Sequence, residues 1–533
     1  MKQSRGDGVR LFRTIAGLRC FLELQRSQQR VLQPPIVAGE LILLQEEVGL
    51  VPTMGALHQG HLSLIRRARR ENAIVVVSLF VNPLQFGPHE DFDRYPRALE
   101  QDRALCVEAG VDAMFAPTVE EMYGQGEPLT QVMPPPELIS RLCGAYRPGH
   151  FPGVATIVTK LLTIVQPDRA YFGQKDAQQV AVIRRLVSDL NLPVEVVACP
   201  ILREVDGLAM SSRNQYLTPE QRLQATILYR SLQRAEQIFQ RGERDSSVLI
   251  EIVRLELATV PELQLEYIEM VDPITMIPMD RVIKTGLMAV AARLGSTRLI
   301  DNILLRPNRK PMIAIDGPAG AGKSTVTRLV AQSLGLLYLD TGAMYRAVTW
   351  LVLESGISLQ DEPAVAELVS RCRIELVSQA DLQAPPQVWI NGQEVTEAIR
   401  TPEVTAQVST IAAQPAVRQE LVKQQQRYGE QGGIAIEGRD IGTYVFPDAE
   451  IKIFLTASVL ERARRRQQDL KNQGKGEISL EELEHAILER DRKDSTRALA
   501  PLRQAEDAIE ILTDGLTVAE VVDRIVRLYQ EKC

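Results

Sequence analysis

Residues 317–324 read Gly-Pro-Ala-Gly-Ala-Gly-Lys-Ser, well past the middle of a 533-residue chain. The spacing fits G-x-x-x-x-G-K-[ST]. In such a loop the glycines let backbone N–H groups wrap phosphates, the lysine reaches the β- and γ-phosphates, and the hydroxyl can ligate Mg2+. A short apolar run, 312–316, of the buried-strand kind precedes it, and a helical stretch over 323–334 follows. A fold built on this loop begins with that strand. A beginning in mid-chain implies a separate folded body before it, and 533 residues are too many for a single core. Between the two lies Arg306-Pro307-Asn308-Arg309-Lys310-Pro311, with two prolines and three cations, expected as an exposed joint. The expected division is 1–305 (9–200 and a lobe at 201–305), a linker at 306–311, and 312–533.

Net charge is −7, which argues against broad nucleic-acid binding. The longest apolar run, 73–81, is too short to span a bilayer, and residues 1–30 lack the apolar core of a signal peptide. Six cysteines form no C-x-x-C pair. A reduced, cytoplasmic protein with no membrane partner is expected.

In the first half, 9–15 is expected as a strand, 16–30 as a helix and 31–47 as an inserted loop. Val48-Gly49-Leu50-Val51-Pro52 is the next strand. It runs into Thr53-Met54-Gly55-Ala56-Leu57-His58-Gln59-Gly60-His61 and a helix over 62–71. That order sets His58 and His61 at a helix N-terminus, where free N–H groups and the dipole favour an anion. Gly60 admits a phosphate close to the backbone, and two imidazoles can donate to charge developing on it. Histidines at this spacing also suit a metal pair or a plain surface. The segments that follow favour the nucleotide. Residues 74–81 read as a buried parallel strand ending in Asn82-Pro83-Leu84-Gln85-Phe86, at the edge where open α/β sheets bind ligands. Later come Arg147-Pro148-Gly149-His150-Phe151, Gly173-Gln174-Lys175-Asp176 and Met210-Ser211-Ser212-Arg213-Asn214. Lys175, the two serines and Arg213 are types that hold β- and γ-phosphates departing as pyrophosphate. Thr218-Pro219-Glu220-Gln221 is a capping box opening a helix to about residue 241. A helix near 245–258 and strands near 264–271 and 286–294 complete a small lobe.

Taken together, PTMGALHxGH, FVNPxQF, RPGHFxGV, GQKDxQQ and SSRN make residues 9–305 resemble the pantothenate synthetase (pantoate–β-alanine ligase) family. These are HIGH-type nucleotidylyltransferases related to class I aminoacyl-tRNA synthetases. The resemblance implies an α/β, Rossmann-like domain whose small α+β C-terminal lobe closes over ATP. It implies that pantoate attacks the α-phosphorus of ATP to give pantoyl adenylate, from which the amine of β-alanine expels AMP. Met54, Gly55, Ala56, Leu57, His58, Gln59, Gly60 and His61 would line ATP, with His61 and Lys175 catalytic. Gly173, Gln174, Lys175, Asp176, Leu202, Met210, Ser211, Ser212 and Arg213 would complete that site. Asn82, Gln85 and Gln179 would hold pantoate or β-alanine, and Asp102 matches a carboxylate implicated in Mg2+ binding. A homodimer through this half would follow the family.

In the second half, Tyr338-Leu339-Asp340-Thr341-Gly342-Ala343-Met344-Tyr345-Arg346 follows the first helix and a short strand. Nucleoside monophosphate kinases bind their acceptor there. A helix bearing Arg462, Arg464, Arg465 and Arg466, and the later run from Glu489 through Arg490 to Arg497, suit a lid that neutralises a transferring phosphoryl group. Alone, such a helix reads equally as a solvated face. With IDGPAGAGKS, LDTGAMYR, EGRDIGTYVFPDA and ERDRKDSTRALAPL, residues 312–533 resemble bacterial cytidylate kinases. The implied fold is a P-loop nucleoside monophosphate kinase, with 356–400 as an insert in its acceptor-binding part. Gly317, Gly320, Gly322, Lys323, Ser324 and Thr325 would hold ATP, Lys323 catalytically and Ser324 on Mg2+. Thr341, Arg346, Ser409, Arg418, Arg439, Asp440, Asp494 and Arg497 would contact CMP or dCMP, with Glu437 acting on Mg2+ through water.

The expectation is a bifunctional enzyme whose partners are ATP, pantoate, β-alanine and CMP or dCMP. Two rivals stand beside it: a plain nucleotidyltransferase in the first half, or a nucleotide-sensing module without turnover in the second.

Overall fold

The computed structural model describes residues 9–31, 47–87, 92–125, 129–307, 309–377, 386–430, 432–472, 478–496 and 500–532. Most of the insertion expected at 31–47, and Arg497, lie outside them. The chain divides into two compact units between residues 308 and 309.

The first unit carries a six-stranded parallel sheet in the spatial order Arg10–Phe12, Ala113–Phe115, Ile74–Leu79, Val48–Thr53, Arg169–Gly173, Glu195–Cys199. Val48–Thr53 and Ile74–Leu79 are apolar because helices cover both faces. The chain builds outward from Val48–Thr53 on one side, then returns to add Arg169–Gly173 on the other. The crevice at the carboxyl ends of those two strands is the switch point where such sheets bind ligands. The turn bearing His58 and the loop bearing Lys175 both open there. The first strand is shorter than expected, because a helix already begins at Ile15. The smaller lobe is the antiparallel sheet Leu263–Val271, Gly286–Leu294, Thr297–Leu305, packed on helices Ile227–Gln240 and Ser246–Leu257. Thr218 and Gln221 form the expected capping box. The helix it opens is interrupted at Thr226, whose hydroxyl bonds back to the Leu223 carbonyl (2.7 Å).

The second unit is built on the parallel order Leu337–Asp340, Ile434–Gly438, Ile313–Asp316, Ile451–Thr456, Ile509–Leu512. The strand feeding the phosphate loop is therefore central. The insert at 356–400 holds the helix Glu362–Val369 and a small antiparallel sheet, Ile374–Val377, Gln387–Ile390, Gln393–Glu394.

The segment expected as an exposed joint is exposed at Arg306 and Lys310 yet tied down at several points. Gln240 donates to the Arg306 carbonyl in the first unit (2.9 Å). In the second, Arg309 pairs with Glu450 (3.1 Å) and Asp448 (3.1 Å), and Lys310 forms a parallel bridge with Gly432.

Candidate active sites

At the switch point of the first sheet lies a cavity of about 580 Å³. Its walls include His58, Gly60, His61, Gly173, Lys175, Asp176, Gln179, Leu202, Met210, Ser211, Ser212 and Arg213. Residues from four separated segments thus meet in one space. Met54, Gly55, Ala56, Leu57, Gln59 and Gln174 stand outside its walls, as do Asn82 and Gln85. Asn82 is fully buried: its amide donates to Gln85 Oε1 (3.1 Å) and the Gly153 carbonyl (3.1 Å), and its oxygen accepts from the Tyr123 hydroxyl (2.7 Å). Its immediate work is to fix the Gln85 side chain.

The two histidines are set by the helix they begin. Gly60 N donates to His58 Nδ1 (3.0 Å), and His58 N donates to His61 Nδ1 (3.4 Å), a reciprocal cap on helix Gln59–Glu71. The rings lie 4.1 Å apart. Burial, then the Lys175 charge, lowers the pKa of His58 to about 4; burial, then His58, lowers that of His61 to about 3. Both rings are neutral at pH 7. Since each Nδ1 accepts from backbone, each ring proton sits on Nε2. A Cβ on Gly60 would stand 2.7 Å from the His58 ring, so glycine here leaves that ring where the cap holds it.

Lys175 donates to the Met210 carbonyl (3.0 Å), and burial lowers its pKa to about 8. Its loop is held from the smaller lobe by Asn302, whose amide donates to the carbonyls of Gln174 (3.0 Å) and Lys175 (2.9 Å). Asp176 caps the helix carrying Gln179. Arg94, Arg147, Arg293 and Arg298 also line the cavity; of these the sequence motifs include only Arg147, and assign it no role.

Asp102 does not fit a metal. It is 3% exposed, and its oxygens accept from Ala56 N (2.9 Å) and Leu57 N (2.7 Å).

In the second unit Gly317, Gly320 and Gly322 all take positive φ, and a Cβ on Gly317 would lie 2.0 Å from the Leu455 carbonyl. The loop is thereby pressed against the neighbouring strand before it enters helix Lys323–Leu334. Lys323 is buried and donates to the Pro318 carbonyl (2.7 Å); burial, then Arg439, lowers its pKa. Ser324 and Thr325 are exposed. Ser324 donates to Glu437 Oε2 (2.8 Å), and the Tyr338 hydroxyl bonds Oε1 of the same carboxylate. Burial, then Asp340, raises the pKa of Glu437. The exposed Ser324 hydroxyl fits a Mg2+ ligand; Glu437, buried with a hydroxyl on each oxygen, is placed to act on such an ion through water.

Thr341 donates to the Glu437 carbonyl (2.7 Å), and Arg439 pairs with Asp494 (2.9 Å). Arg418, 1% exposed, pairs with Asp440, so those two close on each other. Arg346 and Ser409 are half-buried. Arg490, which has no role of its own in the motifs, stands among Arg439, Arg346 and Arg466, facing Asp494; burial and these cations lower its pKa. Arg462 departs from the lid role. It is buried, forks onto Asp491 (3.0 and 2.6 Å) and donates to Ala319 of the phosphate loop (3.1 Å). It ties loop to lid helix.

Residues 29–304 match the pantoate-beta-alanine ligase family and residues 313–531 the cytidylate kinase family. A bifunctional pantoate ligase/cytidylate kinase of Nostoc sp. is 62% identical over 98% of this chain and 99% of its own. The chain belongs to the bifunctional pantoate ligase/cytidylate kinase family. Another member, from Acaryochloris marina, is 58% identical, covering 99% of each chain. Pantothenate synthetase from Thermus thermophilus is 48% identical, covering 56% of this chain and all of that one, with a TM-score of 0.50. The first unit is the pantoate–β-alanine ligase and the second the cytidylate kinase, both ATP-using. No helix among the described residues is long and apolar enough to cross a membrane.

Proposed function

We propose that the ligase runs through pantoyl adenylate in the cavity at the switch point. The observation that carries this is the pair of neutral imidazoles, each with Nε2–H to donate, in the same walls as Lys175. A pantoate carboxylate oxygen attacks the α-phosphorus of ATP, and the bond to the β-phosphate oxygen breaks. His61 stabilises charge growing on the phosphoryl oxygens. Lys175, Ser211, Ser212 and Arg213 hold the departing pyrophosphate. The β-alanine nitrogen then attacks the acyl carbon, the acyl–oxygen bond breaks, and AMP leaves as the ammonium proton is lost. Gln179, in the cavity wall, holds pantoate; Gln85, fixed by Asn82, lies behind that wall.

In the kinase, an oxygen of the CMP or dCMP 5′-phosphate attacks the γ-phosphorus of ATP in line, and ADP departs. The loop amides and Lys323 hold the β- and γ-phosphates. Ser324 would hold Mg2+, with Glu437 acting on it through water; the ion supplies neutralisation of phosphate charge when bound. Arg346, Arg439 and Arg490 face the acceptor phosphate; Asp494 orients Arg439 and, with Arg497, takes the sugar. Thr341 and the Arg418–Asp440 pair shape the wall behind it.

The protein is read as cytoplasmic and as a dimer through the ligase half, the latter checked by light scattering. The experiment for the function itself measures pyrophosphate and AMP with pantoate and β-alanine, and ADP with CMP. Pyrophosphate formed without pantoate would return the first unit to a plain nucleotidyltransferase. CMP bound without ADP release would make the second a sensor.

A further inference from the structure

The turn that delivers the two histidines contains consecutive left-handed residues, Gly55 (φ +84°) and Ala56 (φ +51°). Glycine adopts that conformation freely; alanine does so only when its surroundings hold it there. What holds it comes from elsewhere in the sheet. Asp102 lies in the first turn of helix Leu99–Glu108. One of its oxygens accepts from Ala56 N and the other from Leu57 N, so each is spent on the backbone of the turn. A Cβ added to Gly55 would come within 3.1 Å of Oδ2, which puts the carboxylate directly against the turn. Leu57 leads straight into His58, whose own N–H fixes His61. The directions of both imidazoles therefore depend on how residues 55–57 are held.

A Mg2+ ligand needs an oxygen open to an octahedral shell that keeps several waters. Asp102 is enclosed, and no group of three or more His, Cys, Asp or Glu among the described residues could hold a metal ion. We propose that Asp102 is a positioning residue of the ligase: its carboxylate locks the Ala56–Leu57 turn and so aims His58 and His61 at the triphosphate. This rests on the ATP site proposed above, and it removes Asp102 from the metal chemistry of that site. Burial raises its pKa, and the two backbone donors oppose that rise.

The test uses the full-length chain carrying Asp102→Asn, with and without Ala56→Gly. Losing a charge-assisted brace costs about 10–100-fold in ligase kcat/KM for ATP. The Mg2+ concentration giving half-maximal rate stays unchanged, as does the kinase rate. The His58 and His61 ring protons, followed by NMR, titrate closer to ordinary histidine values as the turn loosens. Adding Ala56→Gly recovers several-fold, since glycine needs no brace to stay left-handed, whereas no backbone change replaces a lost metal ligand. A tenfold rise in the Mg2+ requirement, without recovery by Ala56→Gly, would overturn the proposal. Should Asp102→Asn leave the ligase unfolded, the unsubstituted protein decides it. Mn2+ added without nucleotide should leave the Ala56 and Leu57 amide signals sharp, and selective broadening of those two would refute the brace. His61→Ala tests the ATP site separately: if it leaves ligase activity intact, the site reading fails, whatever Asp102 does.

Discussion

In the ligase unit, the groups nearest the strand end are imidazoles that burial keeps neutral, with one lysine whose pKa falls to about 8. In the kinase unit, the corresponding place holds a buried lysine with Arg439 and Arg490 about it, and Arg346 and Arg466 beyond them about Arg490. Both sites sit at the carboxyl ends of central parallel strands, followed by a helix that offers its N-terminus. The difference follows from where each reaction cuts the triphosphate. On the mechanism proposed above, the ligase breaks it between the α- and β-phosphates, so neutral imidazoles stand where charge grows on the α-phosphate, while Lys175 and the cavity's arginines are left to the departing pyrophosphate. The kinase passes one phosphoryl group between two nucleotides and gains from permanent charge that neutralises both.

The largest test of that contrast is a crossed pair. His61→Ala should lower ligase turnover by about 10²–10³ and leave CMP phosphorylation intact; Lys323→Ala should do the reverse by a similar factor. Any variant that damages both activities alike would break the picture of two independent sites. Next in size, Asp494→Asn weakens the hold on Arg439 and should raise KM for CMP about 10–100-fold, with KM for ATP little changed. An effect confined to ATP would move Asp494 into the lid.

Protonation separates the sites further. The free-enzyme pKa of Lys175 is lowered to about 8, and only its charged form attracts a triphosphate. The ligase KM for ATP should be flat below about pH 8 and rise toward tenfold per pH unit above it, while KM for CMP, set by arginines, stays flat to about pH 9. Lys175→Arg should abolish the rise. The smallest effect concerns the joint. Fragments 1–308 and 309–533 should each retain activity. A kinase fragment starting at residue 312 loses Arg309 and the Lys310 bridge and should be less stable by about 1–2 kcal/mol, read as a lower Tm.

The features legible in the sequence were local ones. A phosphate loop is a run of glycines that must precede a helix, so Gly317 to Ser324 announced both strand and helix. The capping box at Thr218 was equally self-contained. Residues contributed across long distances were not legible. Arg293 and Arg298 reach the ligase cavity from the antiparallel lobe, and nothing in their own neighbourhood says so. Arg462 and Arg490 sit in similar arginine-rich helices, yet one is consumed by Asp491 and the phosphate loop while the other stands among cations. Composition cannot tell these apart; the identity of the facing helix decides it. Asp102, matched by resemblance to a Mg2+ carboxylate, has a contact that its own neighbourhood does not announce: its oxygens accept from the backbone of a turn some 45 residues earlier in the chain.

The central position of Ile313–Asp316 in the kinase sheet has a consequence during synthesis. Its two neighbours, Ile434–Gly438 and Ile451–Thr456, lie more than a hundred residues downstream. At roughly 5–20 residues per second, this apolar strand waits on the order of ten seconds on the ribosome before either edge can be paired. Unpaired apolar strands recruit one another between nascent chains. Arg309, Lys310 and Pro311 stand immediately before it, two charges and a residue that cannot donate to a ladder, the kind of flank that blocks such recruitment. The same residues that later fasten the strand to Glu450 and Gly432 thus guard it on a crowded polysome until those partners have been made.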